Sequence, residues 1–322
     1  MRNRLMSAVV CATAIGLTAF WGVSAQPPAP QAGAAGGRGR GPSGPPPPTP
    51  RLADGTVNLG RMPGEKGVWN VPYITNMGER IVEADGKTYV ERNPPSFGRR
   101  GAPGGQALGG GEGTTGGGRG GAKSEPQVPF QPWAAAFYDY NSKNQSKYDP
   151  EGYCLPPGGP RMMATPYPME IIQLPEQKRI FMVFEGATHI WREIYMDGRP
   201  HPKGDDLNPT YLGHSVGRWE GDALVVDVVG FNEQTWLDYY GHPHTDMLHV
   251  VERFSRPDKN TLLYEATVDD PGAYTKPFTL RWDIRWNPTG ELTEYICQEN
   301  NKYLHRLTDD LGQPIFGPPK KQ

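Results

Sequence analysis

The sequence lacks a surplus of either charge: among 322 residues, 33 basic side chains stand against 35 acidic ones, for a formal net charge of −2. Phosphate binding draws on a clear basic excess, so this balance argues against nucleic acid as a partner. Cysteine is scarce, with three in the whole chain, too few for a cysteine-rich scaffold. Beyond the first 25 residues no stretch approaches the ~20 consecutive apolar residues that a spanning helix needs, so no membrane span is expected there. No Ser-His-Asp elbow, Walker loop, dinucleotide fingerprint or haem-type cysteine pair is apparent.

What the chain does contain comes in blocks. Met1 to Arg4 is a short basic start, Leu5 to Val23 is an uncharged and mostly apolar run, and Val23-Ser24-Ala25 sets small residues where a signal peptidase cuts. Residues 1–25 are therefore expected to leave a mature protein that works in the periplasm or outside the cell, the alternative being an uncleaved anchor. Residues 26–50 are rich in proline, glycine and alanine, and residues 97–124 are mostly glycine. Neither block offers enough apolar surface to offset ordering entropy, so both are expected to be disordered. Residues 51–96 supply a first strand at Gly67–Val71 and a hairpin over 78–93 about Asp85-Gly86, packing on a main domain of residues 125–310. Residues 311–322 form a tail. Once the leader is gone, only Cys154 and Cys297 remain. Two cysteines in an oxidising compartment are expected to pair, tying the start of the main domain to one of its last strands. Two separate buried thiols are the alternative.

The main domain opens with the best helix candidate, Trp133 to about Lys147, with Pro132 suited to its first turn. From Met169 onward, short strands alternate with turns. The strands are read at Glu170–Leu174, Arg179–Glu185, His189–Met196, His214–Trp219, Ala223–Val229, Leu248–Phe254, Thr261–Val268, Phe278–Trp286 and Leu292–Gln298. Asp197-Gly198 signals a hairpin, and Glu220-Gly221-Asp222 a tight turn. Evenly spaced strands without helical crossovers predict a mainly β protein, an antiparallel meander closing into a lipocalin-like barrel or sandwich. In one strand Leu280, Trp282, Ile284 and Trp286 face one way while Thr279, Arg281, Asp283 and Arg285 face the other. The alternation leaves open which face turns inward.

The run His214-Ser-Val-Gly-Arg-Trp-Glu-Gly-Asp222 resembles a signature of an uncharacterised family of exported bacterial proteins. Leu224-Val-Val-Asp227, Thr235-Trp236-Leu-Asp238, Gly241-His-Pro-His-Thr-Asp246 and Val251-Glu-Arg-Phe254 continue the likeness, which spans roughly residues 130–300. It implies export and brings no activity with it. Gly67-Val68-Trp69 is also similar to the Gly-x-Trp that opens the first strand of lipocalin-like barrels, which implies calycin-like closure.

Chemistry is concentrated in the histidines, all seven of which lie between His189 and His305. In an extended chain His242, His244 and Asp246 point to one side. With His249 they offer a first shell for Zn²⁺, Mn²⁺ or Fe²⁺, and such a metal would polarise a carbonyl or acidify bound water. Asp238 or Glu252 would then handle protons in a hydrolase or lyase. Just upstream, Trp236, Tyr239 and Tyr240 offer flat faces to a polar, aromatic or carbohydrate ligand. His189 and Arg192 form a second binding group in which Arg192, among apolar neighbours, needs a carboxylate from protein or ligand. Three readings stand: a small-molecule-binding barrel, a divalent-metal hydrolase or lyase on the same loop, and a structural or envelope-interaction protein with the histidines as packing.

Overall fold

The computed structural model describes residues 44–82, 128–144, 147–186 and 190–299. The chain divides into two compact units at Gly44/Pro45, and every described residue but Gly44 belongs to the second. The leader, residues 26–43, the 97–124 block, the Asp85-Gly86 turn, His189, His305 and the tail lie outside the described residues. The end of the first block, expected to be disordered, is instead held on the barrel: Thr49 donates Oγ1–H to the Arg256 carbonyl at 2.7 Å, and the Pro47 carbonyl accepts from the Lys259 N–H at 2.9 Å.

Ten strands form one sheet: β1 (Val68–Asn70), β2 (Ile81–Val82), β3 (Pro168–Leu174), β4 (Arg179–Phe184), β5 (Trp191–Tyr195), β6 (His214–Glu220), β7 (Ala223–Val229), β8 (His249–Asp258), β9 (Thr261–Asp269) and β10 (Phe278–Asn287). The spatial order is β1-β3-β4-β5-β6-β7-β8-β9-β10, and β1 pairs again with β10, so nine strands close a barrel. The short β2 adds to β10 as a tenth. Helix α1 (Pro132–Lys143) precedes β3. It stops four residues short of the expected Lys147, at a C-cap on Asn144. Trp133 anchors it by donating its indole N–H to the Gly272 carbonyl at 2.7 Å. Among the described residues no helix is long and apolar enough to cross a membrane.

Local chemistry accounts for most strand ends. Between β6 and β7, Gly221 takes φ +60° in the expected tight turn. Strand β10 settles the inward face: Phe278, Leu280, Trp282, Ile284 and Trp286 are buried, and the charged alternates face out. The barrel is thus filled by side chains, with Trp69, Trp282, Tyr264, Phe254 and Phe184 almost wholly enclosed. The Gly-x-Trp segment does open the first strand. Gly67 takes φ +134° against the Trp286 ring, where any Cβ would fall 2.2 Å from that ring. Trp69 meets Trp286 edge-on at 4.9 Å.

Two local expectations are corrected. Asp197-Gly198 makes no hairpin; β5 instead continues into a long connection, residues 196–213, and the chain returns as β6 parallel to β5. The sheet is therefore antiparallel throughout except at this one seam. Leu292–Gln298 is not a strand: the barrel has already closed from β10 onto β1, and Cys297 lies in a turn beyond it. The Cys154–Cys297 disulfide does form, with Cα atoms 5.6 Å apart across 143 residues of sequence. It ties the segment before β3 to the chain after the last strand.

Candidate functional site

The loop from Trp236 to His249, first choice on sequence, is mostly a buried strut. Asp238 is fully enclosed, and its carboxylate accepts from the backbone N–H groups of Met77 (2.7 Å), Gly241 (3.0 Å) and His242 (3.1 Å). His242 Nδ1 stands 2.6 Å from Asp238 Oδ2, an ion-pair distance but off the line of a straight hydrogen bond, and its Nε2 has no hydrogen-bond partner among the described residues. Burial alone would raise the Asp238 pKa, but the His242 ring and the backbone donors hold it below the ordinary carboxylate value. The ring of His242 stacks on Phe130 and meets Tyr138 at a tilt, with centres 4.4 Å apart. His244 goes elsewhere: its Nε2 bonds to Thr235 Oγ1 at 2.7 Å and its Nδ1 to the Thr245 carbonyl at 3.1 Å. Trp236 is buried and meets Phe137 of α1 edge-on. Tyr239 and Tyr240, half-buried, meet one another edge-on.

Asp246 is exposed, and His249 sits on the outer face of β8 against Asp227. The structure therefore does not bring His242, His244, Asp246 and His249 to a common point. Among the described residues, no group of three or more His, Cys, Asp or Glu side chains is arranged to hold a metal ion. The reason is the loop's course: it is held to the barrel at Asp238, Thr235 and Asp270, so successive side chains are spent on different partners.

Glu252 and Arg192 meet inside the barrel. Arg192 donates Nη2–H to Glu252 Oε2 and Nε–H to Ser215 Oγ at 2.9 Å, and the Tyr264 hydroxyl donates to Glu252 Oε1 at 2.7 Å. The carboxylate that Arg192 required is thus the protein's own, 60 residues away. Gly213-His214-Ser215-Val216-Gly217 has the spacing of a nucleophile elbow. Here, however, the pattern opens a strand rather than a strand-to-helix turn, and the buried Ser215 hydroxyl is held by Arg192 with no histidine on it.

The open space is next to that buried group. Strand β5 bonds to β4 through its even-numbered residues, as shown by Met196 N–H donating to Lys178 and Phe184 N–H to Ile190. Its odd-numbered residues turn their N–H and C=O groups toward β6. There the ladder holds only at Ile194–Ser215 and Tyr195–Val216. The N–H and C=O of Trp191 and the N–H of Glu193 are left without a strand partner among the described residues. The two strands splay from this point, and the gap is a cleft of about 450 Å³ lined by Trp191, Arg192, Tyr195, Leu207, Tyr211 and His214, among others. Trp191, 57% exposed, stands at its rim. Gly217 keeps the seam closed at the other end, since a Cβ there would fall 2.5 Å from Met196 Sδ and 2.8 Å from Ile194 Cγ2.

Beside the cleft lies a polar chain that sequence reasoning missed. His201 Nε2 bonds to Asp227 Oδ1 at 3.0 Å, and His201 Nδ1 meets His214 Nδ1 at 2.8 Å. His249 Nε2 reaches the same Asp227 oxygen at 3.1 Å. Tyr195 stacks on the His214 ring at 5.1 Å, with the Arg199 guanidinium over its other contacts at 4.0 Å from the ring centre. The run Arg199-Pro-His201-Pro carries no strand pattern and no neighbouring acid in sequence that would mark His201. The one available signal was that His214 and Asp227 fall on outward positions of adjacent strands, and it does not point to His201.

The chain matches no protein-family model, no curated protein and no solved structure.

Proposed function

We propose that this is an exported binding protein whose small polar or aromatic ligand, a carbohydrate included, sits in the β5–β6 cleft. The observation that carries the reading is the lapsed ladder: backbone groups of Trp191 and Glu193 with no strand partner among the described residues, beside a cleft with an exposed indole at its rim. Unpaired strand groups offer hydrogen bonds of fixed direction, and aromatic faces bind rings, the combination small-ligand sites use. The side-chain-filled barrel favours this site over an internal cavity, and the buried Trp236–His244 segment favours it over the histidine loop. Export is supported by the leader-like start and by a disulfide of the kind that oxidising compartments allow.

A thermal-shift screen of the mature protein against glucose, cellobiose, phenol and benzoate tests the reading. At least one compound is expected to raise the melting temperature, by mass action on the folded state. Trp191→Ala should abolish that rise, and Asp246→Ala, on the surface of the histidine loop, should leave it intact. A hit lost in the Asp246 variant but kept in the Trp191 variant would move the site back to the loop. No hit from any class overturns the reading.

A further inference from the structure

We infer that the wall of the cleft is latched by a proton-counting contact between His201 and His214, so that acidification releases the 196–213 connection and opens the site. This rests on the cleft as the binding site only for its consequence; the latch itself is a property of the free protein.

The connection contributes Pro202, Asp206, Leu207, Asn208, Thr210 and Tyr211 to the cleft lining. Its far half is fixed to the barrel: Thr210 N–H donates to Gly230, Asn232 N–H to Thr210, and Gly159 N–H to Tyr211. Its near half is held through His201, both of whose ring nitrogens are engaged.

The 2.8 Å contact joins two Nδ1 atoms, and such a pair bonds only when one of them carries the proton. With both rings neutral, His214 Nδ1–H donates to the bare His201 Nδ1, and His201 Nε2–H donates to Asp227. With one proton added to the pair, one Nδ1 still carries a hydrogen and the other is still bare, so the Nδ1–H···Nδ1 bond survives and His201 Nε2–H still donates to the Asp227 carboxylate. Both states hold. A second proton puts hydrogens on both Nδ1 atoms and like charges on two rings with centres 5.0 Å apart, and the bond is lost.

The surroundings set where the second proton arrives. From the connection, Asp197 and Arg199 face the pair, but they are matched to one another at 2.6 Å. Strand β4 contributes Arg179, paired with Glu193 of β5, and β5 also contributes Tyr195. Strand β6 contributes Arg218, paired with Glu220, while β7 contributes Asp227, β8 His249, and β9 Asp269 opposite His249. Burial, the adjacent His201 and Arg199 all lower the His214 pKa, so the second proton comes below the ordinary imidazole value of about 6.5. Release therefore belongs to mildly acidic conditions, which an exported protein meets when its medium acidifies.

Hydrogen exchange of the mature protein, read peptide by peptide without ligand and corrected for intrinsic rates, tests the latch between about pH 7.5 and pH 4.5. Protection over residues 197–209 should fall by about tenfold or more on acidification, while β8 and β9 keep theirs. In His201→Gln the same segment should show one level of protection across the range. His249→Gln, which removes the other imidazole on Asp227 but leaves the two Nδ1 atoms facing, should keep the response. Unchanged protection in the parent protein overturns the latch, as does a full response in His201→Gln or its loss in His249→Gln. None of these readouts needs a ligand, so failure of the binding screen and failure of the latch are separate results.

Discussion

Buried charge is the dominant theme at the residue scale. Arg161 makes a two-pronged pair with Asp149, at 2.7 and 2.6 Å, and adds Glu151 at 2.6 Å. Burial works against the Arg161 charge, yet the two carboxylates raise its pKa above the ordinary value. Arg256 has no carboxylate partner among the described residues; it donates to the carbonyls of Asn58, Gly60 and Lys259 and lies over Trp69, and burial lowers its pKa to about 10. Removing one member of a buried pair strands the other, so Glu252→Gln, which leaves Arg192 enclosed without its counter-charge, should cost about 3–5 kcal/mol in urea unfolding. His244 gives a prediction with a definite sign. Burial lowers its pKa below 6.5, so the unfolded chain takes up a proton there before the folded one does. Stability is thus full above the unfolded value of about 6.5 and falls as pH drops below it, by at most about 1.4 kcal/mol per pH unit. Melting temperatures of the parent and of His244→Gln at about pH 7.5 and pH 5.5 check this: the variant is expected to lose less on acidification.

At the scale of elements, the β5–β6 seam is among the most lightly paired parts of the sheet. Its parallel ladder spans two residue pairs, whereas β6 and β7 match over seven. Gly217 is what lets it close, because Met196 and Ile194 occupy the space a side chain would take. Gly217→Ala should therefore cost about 1–3 kcal/mol by overpacking. Adding Met196→Ala, which clears the nearer atom, should recover part of that in a double-mutant cycle. By contrast, β10 is anchored along its whole length by its inward face. Trp282→Ala should cost about 3–5 kcal/mol, the range for emptying a buried aromatic site.

For the whole molecule, closure and the disulfide act together. Nine strands close the barrel, and the short β5–β6 ladder leaves strand groups open at the seam, which is one physical reason a binding cleft would appear there. Cys154–Cys297 spans 143 residues, and chain entropy for a loop of that length gives about 5 kcal/mol of stabilisation. Cys297→Ser, or reduction with dithiothreitol, should lower the melting temperature accordingly, while circular dichroism keeps the strand signal if the barrel remains folded.

The sequence by itself determined most of the strands, the helix, most turns, the apolar alternation of β10, and the pair of cysteines available to bond. Those features follow from local period, turn chemistry and cysteine count, while the choice of inward face in β10 came from the closed barrel. It did not determine the parallel return of β6, because Asp197-Gly198 has hairpin chemistry and only the distant pairing of Ile194 with Ser215 overrules it. Nor did it determine the site. His201 finds His214 and Asp227 across 13 and 26 residues, and Arg192 finds Glu252 across 60. Meanwhile the compact His242–His244–Asp246 run is dispersed by its own backbone anchors. Proximity in sequence fixed neither result; barrel register did, by deciding which outward positions of adjacent strands stand side by side.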